Sequence, residues 1–136
     1  MNISRCYDSA AIRDMIGDVD VDVDRWLAAD ENVALIDTET GSIAMFEYLS
    51  PEVYTGHYFF SHQARGRKAI DLGKAMLWVA FSKFAKVIRG MTPLQNRAAR
   101  WMSRQLGFIS YGAVSPIEGP CELFMLTRDE FFSHKE

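Results

Sequence analysis

The chain has 136 residues, of which 49% are hydrophobic and 24% are charged, and its formal net charge is −3 at neutral pH. This length and apolar fraction suit one core, so we expect residues 1–136 to form a single domain. Nucleic-acid binding normally needs a basic surface, so the acidic net charge argues against a nucleic-acid partner. The longest apolar run, residues 75–81, is too short to span a membrane.

The first half of the chain predicts a strand, two short helices and a three-stranded meander. Asp8 or Ser9 can cap the first helix, and Gly17 can end it by adopting a left-handed conformation. Thr40 and Gly41 form a turn of the kind that joins two antiparallel strands. The expected elements are a strand at residues 2–7, helices at 10–16 and 24–31, and strands at 33–37, 43–49 and 54–61.

The second half predicts strands alternating with helices. Apolar residues recur at helical spacing over residues 66–85, and Gly107 is placed to end a second helix. A strand that is followed by a long crossover helix returns to the sheet in the same direction, so a parallel pair is expected. The elements are a helix at 66–85, a strand at 86–91, a helix at 96–106, and strands at 108–114 and 122–127.

Two further features concern location and core. The N-terminus lacks the basic and then apolar order of a secretion signal, so we expect a cytoplasmic protein. Cys6 and Cys121 lie near opposite ends without metal-site spacing, which favours buried reduced thiols. Four aromatic residues at helical spacing are interpreted as core: Trp78, Phe81, Phe84 and Trp101.

The segment before the long helix carries the strongest indication of a binding site. Basic side chains at a helix N-terminus oppose the macrodipole unless an anion binds there, so the segment predicts either a phosphate site, which is slightly favoured, or a solvated loop. It resembles the Gln/Arg-x-x-Gly-x-Gly/Ala loop with which the GNAT superfamily of N-acetyltransferases cradles the pyrophosphate of acetyl-CoA. The implied cofactor-binding residues are Gln63, Arg65, Gly66, Arg67 and Lys68, of which the last departs from the pattern.

A second segment resembles the helix that flanks the cofactor in the same superfamily. Asn96, Ala99, Gly107 and Phe108 match its Asn-x-x-Ala-x-x-x-Tyr-x-x-x-Gly-Phe pattern. The resemblance implies that Asn96 contacts the cofactor. Ser103 stands where many members have a tyrosine that protonates the leaving thiolate, and a serine hydroxyl is a weaker acid than a phenol.

The resemblance covers essentially the whole chain. It implies an α/β fold of the GNAT type, a mixed sheet with the order β-α-α-β-β-β-α-β-α-β-β. It also implies acetyl-CoA as co-substrate, no metal, and an amine on a small molecule or a protein as acceptor, with a homodimer left open. Residues 90–96 and 126–131 resemble in addition a branch of small GNAT-like proteins from tailed phages and prophages.

Candidate general bases lie on the meander. His57 is on the aromatic strand and His62 follows it, while Glu47 is on the neighbouring strand with Tyr54 and Tyr58 alongside. Imidazole and carboxylate groups can take a proton from an ammonium acceptor. A structural or surface role for each of these residues is the alternative, and the pattern does not choose between them.

Four aspartates alternate with valines from Asp18 to Asp24. A calcium-binding EF-hand loop is disfavoured because Val23 and Ala29 stand where that loop needs glycine and glutamate. The run is interpreted as a helix-capping turn, or, since the corresponding segment of GNAT folds borders the acceptor site, as a region that attracts a cationic amine.

Two functions therefore remain. The first is an N-acyltransferase that moves an acetyl group from acetyl-CoA to an amine, with Glu47, His57 and Ser103 as candidate catalytic residues. The second is a catalytically inactive GNAT-like binding or assembly protein of phage or prophage origin. Lys68 and Ser103 favour the second, whereas Gln63, Gly66 and Asn96 favour retained binding of CoA.

Overall fold

A computed structural model describes residues 1–117 and 119–133. The predicted order of strands and helices is confirmed, with one additional helix at the C-terminal end. The elements are β1 (Ile3–Arg5), α1 (Ser9–Ile16), α2 (Val23–Ala28), β2 (Val33–Asp37), β3 (Ile43–Ser50), β4 (Val53–Phe59), α3 (Arg67–Lys83), β5 (Val87–Pro93), α4 (Arg97–Gln105), β6 (Ile109–Val114), β7 (Cys121–Thr127) and α5 (Arg128–Ser133).

The seven strands form one mixed sheet with the order β1-β2-β3-β4-β5-β7-β6. Strands β4 and β5 are parallel neighbours, because α3 carries the chain back across the sheet between them. The other neighbouring pairs within the described ranges are antiparallel. The expected parallel pair therefore lies at the centre of the sheet.

Side chains of successive residues alternate between two cores on opposite faces of the sheet. On β3, Ile43 and Met45 pack with α1 and α2, whereas Ala44 and Phe46 pack with α3. Helices α4 and α5 lie on the same face as α3, since Met102 and Phe131 contact that core. No helix in the part of the chain that the structure describes has both the length and the apolar character required to traverse a bilayer.

Helix α3 supplies the largest apolar face. It begins after Gly66, and its buried side is formed by Ala69, Leu72, Gly73, Met76, Leu77, Ala80 and Phe81. The assignment of four aromatic residues to the core is wrong for two of them, because Trp78 is 44% exposed and Trp101 is 48% exposed. Trp78 directly follows the buried Leu77, and a rotation of about 100° per residue carries it out of the buried stripe.

Helix α5 was not predicted. Its start is fixed by a reciprocal pair: the Glu130 backbone N–H donates to Thr127 Oγ1 at 3.1 Å, and the Thr127 N–H donates to Glu130 Oε1 at 2.9 Å. This capping box is readable as Thr-x-x-Glu in the sequence. Strand β7 ends at Thr127 and α5 begins at Arg128, so no loop separates the two elements.

The end of α4 offers a direct test of backbone strain. Gly107 has φ +97, and a Cβ there would meet no heavy atom within 4 Å, so a side chain is opposed by conformation rather than by a clash. We expect Gly107→Ala to lower the free energy of unfolding by about 1 kcal/mol. The matched control is Gly90→Ala, whose Cβ would lie 3.8 Å from the Gly56 carbonyl oxygen with no positive φ. Equal urea midpoints for the two variants would show that Gly107 carries no strain.

Candidate functional site

The parallel strands β4 and β5 separate shortly after they meet. Their pairing ends at Thr55 and Arg89, although β4 continues to Phe59 and β5 continues to Pro93. Beyond that point a cleft of about 740 Å³ opens, lined by both strands and by α4. Where β4 and β5 separate, the backbone N–H and C=O groups on their facing edges have no strand partner. These groups make the walls of the cleft polar even where no polar side chain is present.

Gly56 shapes the closed end of this cleft. A Cβ at Gly56 would lie 2.4 Å from Tyr58 Oη and 2.9 Å from Tyr58 Cζ. Only a glycine therefore leaves room for the Tyr58 side chain to fold back along the strand. A glycine inside a strand commonly marks such a close approach.

Tyr58 lines the cleft from the face of the sheet that carries α3 and α4. Its ring packs edge-on against Phe46 and Phe108, with centroids 5.9 Å and 6.3 Å away. The hydroxyl oxygen is buried and has no hydrogen-bond partner among the described residues. Burial raises the pKa of the Tyr58 phenol, so the group is neutral and able to donate a hydrogen bond.

His57 and Glu47 lie on the opposite face. His57 pairs with Met45, which belongs to the core under α1 and α2, so its side chain points away from that of Tyr58. His57 Nε2 lies 3.6 Å from Glu47 Oε1, and both side chains are about half exposed. The structure thus brings together two of the candidate bases, of which His57 lines the cleft, in positions that solvent can reach.

Helix α4 forms another wall of the cleft. Asn96 caps this helix, because its Oδ1 accepts the Ala99 backbone N–H at 3.2 Å. Asn96, Ala99 and Ser103 all line the cleft. The side-chain oxygen of Asn96 is already engaged, so a role in binding would use its amide N–H groups.

A buried carboxylate fixes α4 against the sheet. Glu122 on β7 is 4% exposed and accepts hydrogen bonds from Arg100 Nε at 2.8 Å, from Arg104 and from the Ser110 hydroxyl. The bonds from Ser110 and Arg100 hold the pKa of Glu122 below its usual value. Arg100 also donates to the Leu94 carbonyl at 2.9 Å, so the cluster ties the start of α4 to the end of β5.

The predicted pyrophosphate loop forms the entry to α3, outside the cleft lining. Gly66 has φ +56 and ψ −126, and no side chain caps the first turn of the helix. A Cβ at Gly66 would meet nothing within 4 Å, so the space in front of the loop is open. Arg65 contacts His62, Arg67 pairs with Asp71 at 3.3 Å, and the side chain of Lys68 is exposed.

The exposure of Lys68 bears on its departure from the family pattern. An exposed lysine at the second helical residue does not pack into the loop, so the backbone before α3 stays accessible. Gln63 is exposed as well, whereas the neighbouring Ala64 is 2% exposed and anchors the segment in the core. The loop therefore presents cationic side chains on a fixed base, and the Lys68 backbone N–H is already engaged by the Arg65 carbonyl oxygen at 3.2 Å.

The acidic run between α1 and α2 lies beside the cleft, which Val19 helps to line. Arg13 holds the run in place by donating to the carbonyl oxygens of Gly17 at 3.0 Å, of Val19 at 2.9 Å and of Val21. Asp22 caps α2 by accepting the Arg25 N–H at 3.2 Å. Within residues 1–117 and 119–133, no group of three or more His, Cys, Asp or Glu side chains is arranged to hold a metal ion.

The predicted site residues thus fall into two groups. His57, Asn96 and Ser103 line the cleft, Glu47 joins them through His57, and the five loop residues surround the N-terminus of α3. Sequence reasoning did not assign roles to Gly56, Arg89 or Glu122. The sequence does contain signals for them: Gly56 is a glycine inside a strand, and Arg89 and Glu122 are charged residues inside apolar strands.

Arg89 is one of these unassigned residues. It lines the cleft from β5, and its Nε donates to Thr55 Oγ1 at 3.5 Å, at the last paired position before the strands separate. The side chain therefore adds a positive charge at the point where the cleft begins.

Comparisons with known proteins identify the fold. No family model matches the sequence, and no curated protein sequence matches it either. Among solved structures, the aminoglycoside acetyltransferase AAC(6')-Ib in complex with coenzyme A and kanamycin superposes with a TM-score of 0.77 at 16% identity, covering 99% of each chain. The same enzyme with paromomycin and acetyl-CoA gives a TM-score of 0.76 at 16% identity, covering 100% of this chain and 99% of that one.

A spermidine N-acetyltransferase from Vibrio cholerae, SpeG, is also similar, with a TM-score of 0.80 at 9% identity over the full length of both chains. At these identities the likeness concerns the fold. The chain therefore has the GNAT acetyltransferase fold, as the resemblance implied.

Proposed function

We propose that this chain is an N-acyltransferase that moves an acetyl group from acetyl-CoA to an amine on a small molecule. The proposal depends chiefly on the cleft between β4 and β5 in a chain with the GNAT fold. The lining of this cleft reaches Phe60, shortly before the uncapped N-terminus of α3 in sequence. Similar structures are of enzymes named for acetylating aminoglycosides or spermidine, and several contain coenzyme A or acetyl-CoA.

The residues before α3 fit the pyrophosphate of an acyl-CoA. Gly66 turns the backbone with a positive φ, which glycine adopts readily. The first turn of α3 lacks a side-chain cap, and the helix macrodipole favours an anion at this end. Arg65, Arg67 and Lys68 add positive charge around this position. The cleft is large enough to receive the thioester arm, since ligand sites commonly measure about 300 to 1,000 Å³.

Acyl-CoA supplies an activated thioester, at which a neutral amine nitrogen forms a C–N bond to the carbonyl carbon while the C–S bond breaks and the thiolate leaves with the electron pair. His57, paired with Glu47, accepts the proton that the ammonium acceptor must lose. The nitrogen loses a second proton as the amide forms, and Ser103, which lines the same cleft, or a water molecule beside it relays that proton to the sulfur.

The acceptor approaches from the face that carries His57 and Glu47. Asp18 and Asp20 adjoin Val19, which lines the cleft, and lie with Asp22 in the segment between α1 and α2. Asp24 follows in the first turn of α2. Their charge favours a polyamine or an aminoglycoside over a neutral amine. The acceptor class is thus a small cationic amine.

The inactive binding or assembly protein is the second candidate function. Ser103, in place of a tyrosine, favours it, because a weakly acidic hydroxyl is a poor proton donor to a thiolate. Lys68 carries little weight for it, since the side chain is exposed and leaves the loop open. Binding of acetyl-CoA without turnover of any cationic amine would favour this candidate.

Acetyl-CoA binding tests both candidates at the loop. We expect millimolar acetyl-CoA to raise the melting temperature by about 5 °C, because a ligand that binds the folded state stabilises it by mass action. Gly66→Val should abolish this shift by placing a branched side chain in front of the loop, whereas Lys68→Gly should leave it intact or enlarge it.

A matched variant separates binding from backbone strain. Gly17 has φ 64 and ψ −126, almost the conformation of Gly66, and lies at the end of α1 rather than at the loop. Gly17→Val should therefore lower stability like Gly66→Val but keep the full response to acetyl-CoA. If neither the parent protein nor Lys68→Gly responds to acetyl-CoA, the loop does not bind the cofactor and the proposed function fails.

A further inference from the structure

Arg89 places a positive charge without a counter-ion in the cleft. It is half-buried and lines the cleft from β5, and no other arginine or lysine among the described residues does so. The ion pairs within residues 1–117 and 119–133 do not include Arg89. Its antiparallel partner on β7 is the uncharged Met125. Charged groups that are partly removed from water are usually paired, so the counter-ion is expected from a ligand.

The guanidinium of Arg89 is open to a ligand. Its side-chain hydrogen bond within the described ranges runs from Nε to Thr55 Oγ1 at 3.5 Å, so most of its N–H donors remain available. The buried side-chain atoms that lack a partner in these ranges are Tyr58 Oη and Ser61 Oγ, and no nitrogen of Arg89 is among them. The unpaired nitrogens are therefore in contact with solvent.

The bond to Thr55 also fixes where the charge lies. Thr55 and Arg89 are the last paired residues of β4 and β5, and the bond holds the Arg89 side chain over the boundary between these strands. Beyond this pair the strands separate and the cleft opens. The guanidinium therefore lies where the cleft begins.

The register places Arg89 on the side of the sheet that is proposed for the acceptor. Ile88 belongs to the core under α3, so Arg89 and its partner Thr55 point to the opposite face. Glu47 is the antiparallel partner of Thr55, and His57 follows Thr55 by two residues, so both share that face. The proposed base and an unpaired cation thus lie on the same face of neighbouring strands.

The charges on this face suit a molecule that carries both signs. The Glu47 carboxylate lies on one side of β4, 3.6 Å from His57, and Arg89 lies on the other side of β4. Two residues along a strand span about 6.6 Å, and neighbouring strands lie about 4.8 Å apart. An amine that reaches His57 and a carboxylate that reaches Arg89 can therefore belong to one small molecule.

We propose that Arg89 binds a carboxylate of the acceptor, so that the acceptor is an amino acid rather than a simple amine. This inference rests on the proposed function and narrows its cationic amine to one that also carries a carboxylate. The guanidinium donates two parallel N–H bonds to the carboxylate oxygens and keeps its charge throughout. The aspartate run favours a second amine on the same molecule, so a diamino acid fits both features.

The test compares lysine with cadaverine, which is lysine without its carboxylate. At saturating acetyl-CoA, we expect the parent protein to acetylate lysine with a kcat/KM about 10-fold or more above that for cadaverine, because the bonds to the carboxylate are charge-assisted. Arg89→Met should bring this ratio to about 1, mainly by raising KM for lysine, because the carboxylate is held equally in the ground state and the transition state. Ornithine and putrescine repeat the comparison with a shorter chain.

Two further variants make the result specific. Arg97→Met removes the same charge from the exposed first residue of α4, which is outside the cleft lining, and should keep the ratio of the parent protein. Arg89→Lys keeps the charge but loses the planar pair of donors, so it should retain part of the preference for lysine. A melting response to acetyl-CoA shows that each variant is folded.

The outcomes are distinguishable. If the parent protein acetylates the diamines as well as the matching amino acids, or if Arg89→Met lowers kcat/KM equally for both kinds of acceptor, Arg89 does not bind an acceptor carboxylate. This inference then fails while the proposed function stands. If none of the four acceptors is acetylated, the inference fails, and the response of the parent protein to acetyl-CoA decides whether the proposed function fails with it.

Discussion

Replacing Glu122 with glutamine lowers the free energy of unfolding by about 2 to 3 kcal/mol. The substitution preserves shape but removes the charge that pairs with Arg100 and Arg104 and accepts from Ser110. A hydrogen bond to a charged group typically contributes about 1.5 to 3 kcal/mol to the free energy of unfolding. Removing one partner of a buried ion pair lowers that free energy by more. The two arginines are partly exposed, at 31% and 48%, so water compensates them in part.

Glu52→Gln is the matched control for that measurement. It makes the same change in an exposed pair, in which Arg128 lies 3.7 Å from Glu52, and it should alter the free energy of unfolding by about 0.5 kcal/mol or less. Urea denaturation of both variants at neutral pH gives the comparison. A loss for Glu122→Gln no larger than that for Glu52→Gln would show that the cluster does not hold α4 to the sheet.

The same variant has a defined pH dependence. The folded-state pKa of Glu122 is lowered from an ordinary value of 4.5, so its contribution to stability is present above that value. The contribution is lost as the pH falls through the lowered folded-state pKa. We therefore expect the difference between the parent protein and Glu122→Gln to shrink in acid and to reach a plateau above about pH 5.

Replacing His57 with glutamine should lower kcat about 10²-fold with a cationic amine acceptor. General acid–base groups typically contribute about 10² to 10⁴ to a rate. His57 is exposed and lines the cleft, on the side from which we propose that the acceptor enters. Glu47→Gln should cause a smaller loss, because Glu47 acts on the imidazole at 3.6 Å rather than on the acceptor. Initial rates at saturating acetyl-CoA measure both effects.

His62→Gln provides the control for the loss of an imidazole. His62 contacts Arg65 in the loop before α3 and is not among the residues that line the cleft. Its replacement can alter KM for acetyl-CoA through Arg65, but kcat at saturation should be unchanged. A kcat for His57→Gln that equals that of His62→Gln would contradict the assignment of His57 as the base.

The sequence by itself determined the order and type of the elements. Hydrophobic periodicity and end signals such as Asp8 and Gly17 act over a few residues, so they are readable along the chain, and the structure contains both caps. The parallel pairing of β4 and β5 also followed, because a crossover helix fixes strand direction. The same local logic could have found α5 from Thr127 and Glu130.

Only the tertiary structure decided how the cleft is built. Where β4 and β5 separate, how far Tyr58 folds over Gly56 and which face His57 takes depend on strand register and on packing between distant segments. Helix periodicity placed Trp78 and Trp101 in the core, yet both are exposed, because burial depends on what each helix face meets. The pairing of Glu122 with Arg100 and Arg104 arises between β7 and α4, which are far apart in sequence, and no local pattern encodes such a contact.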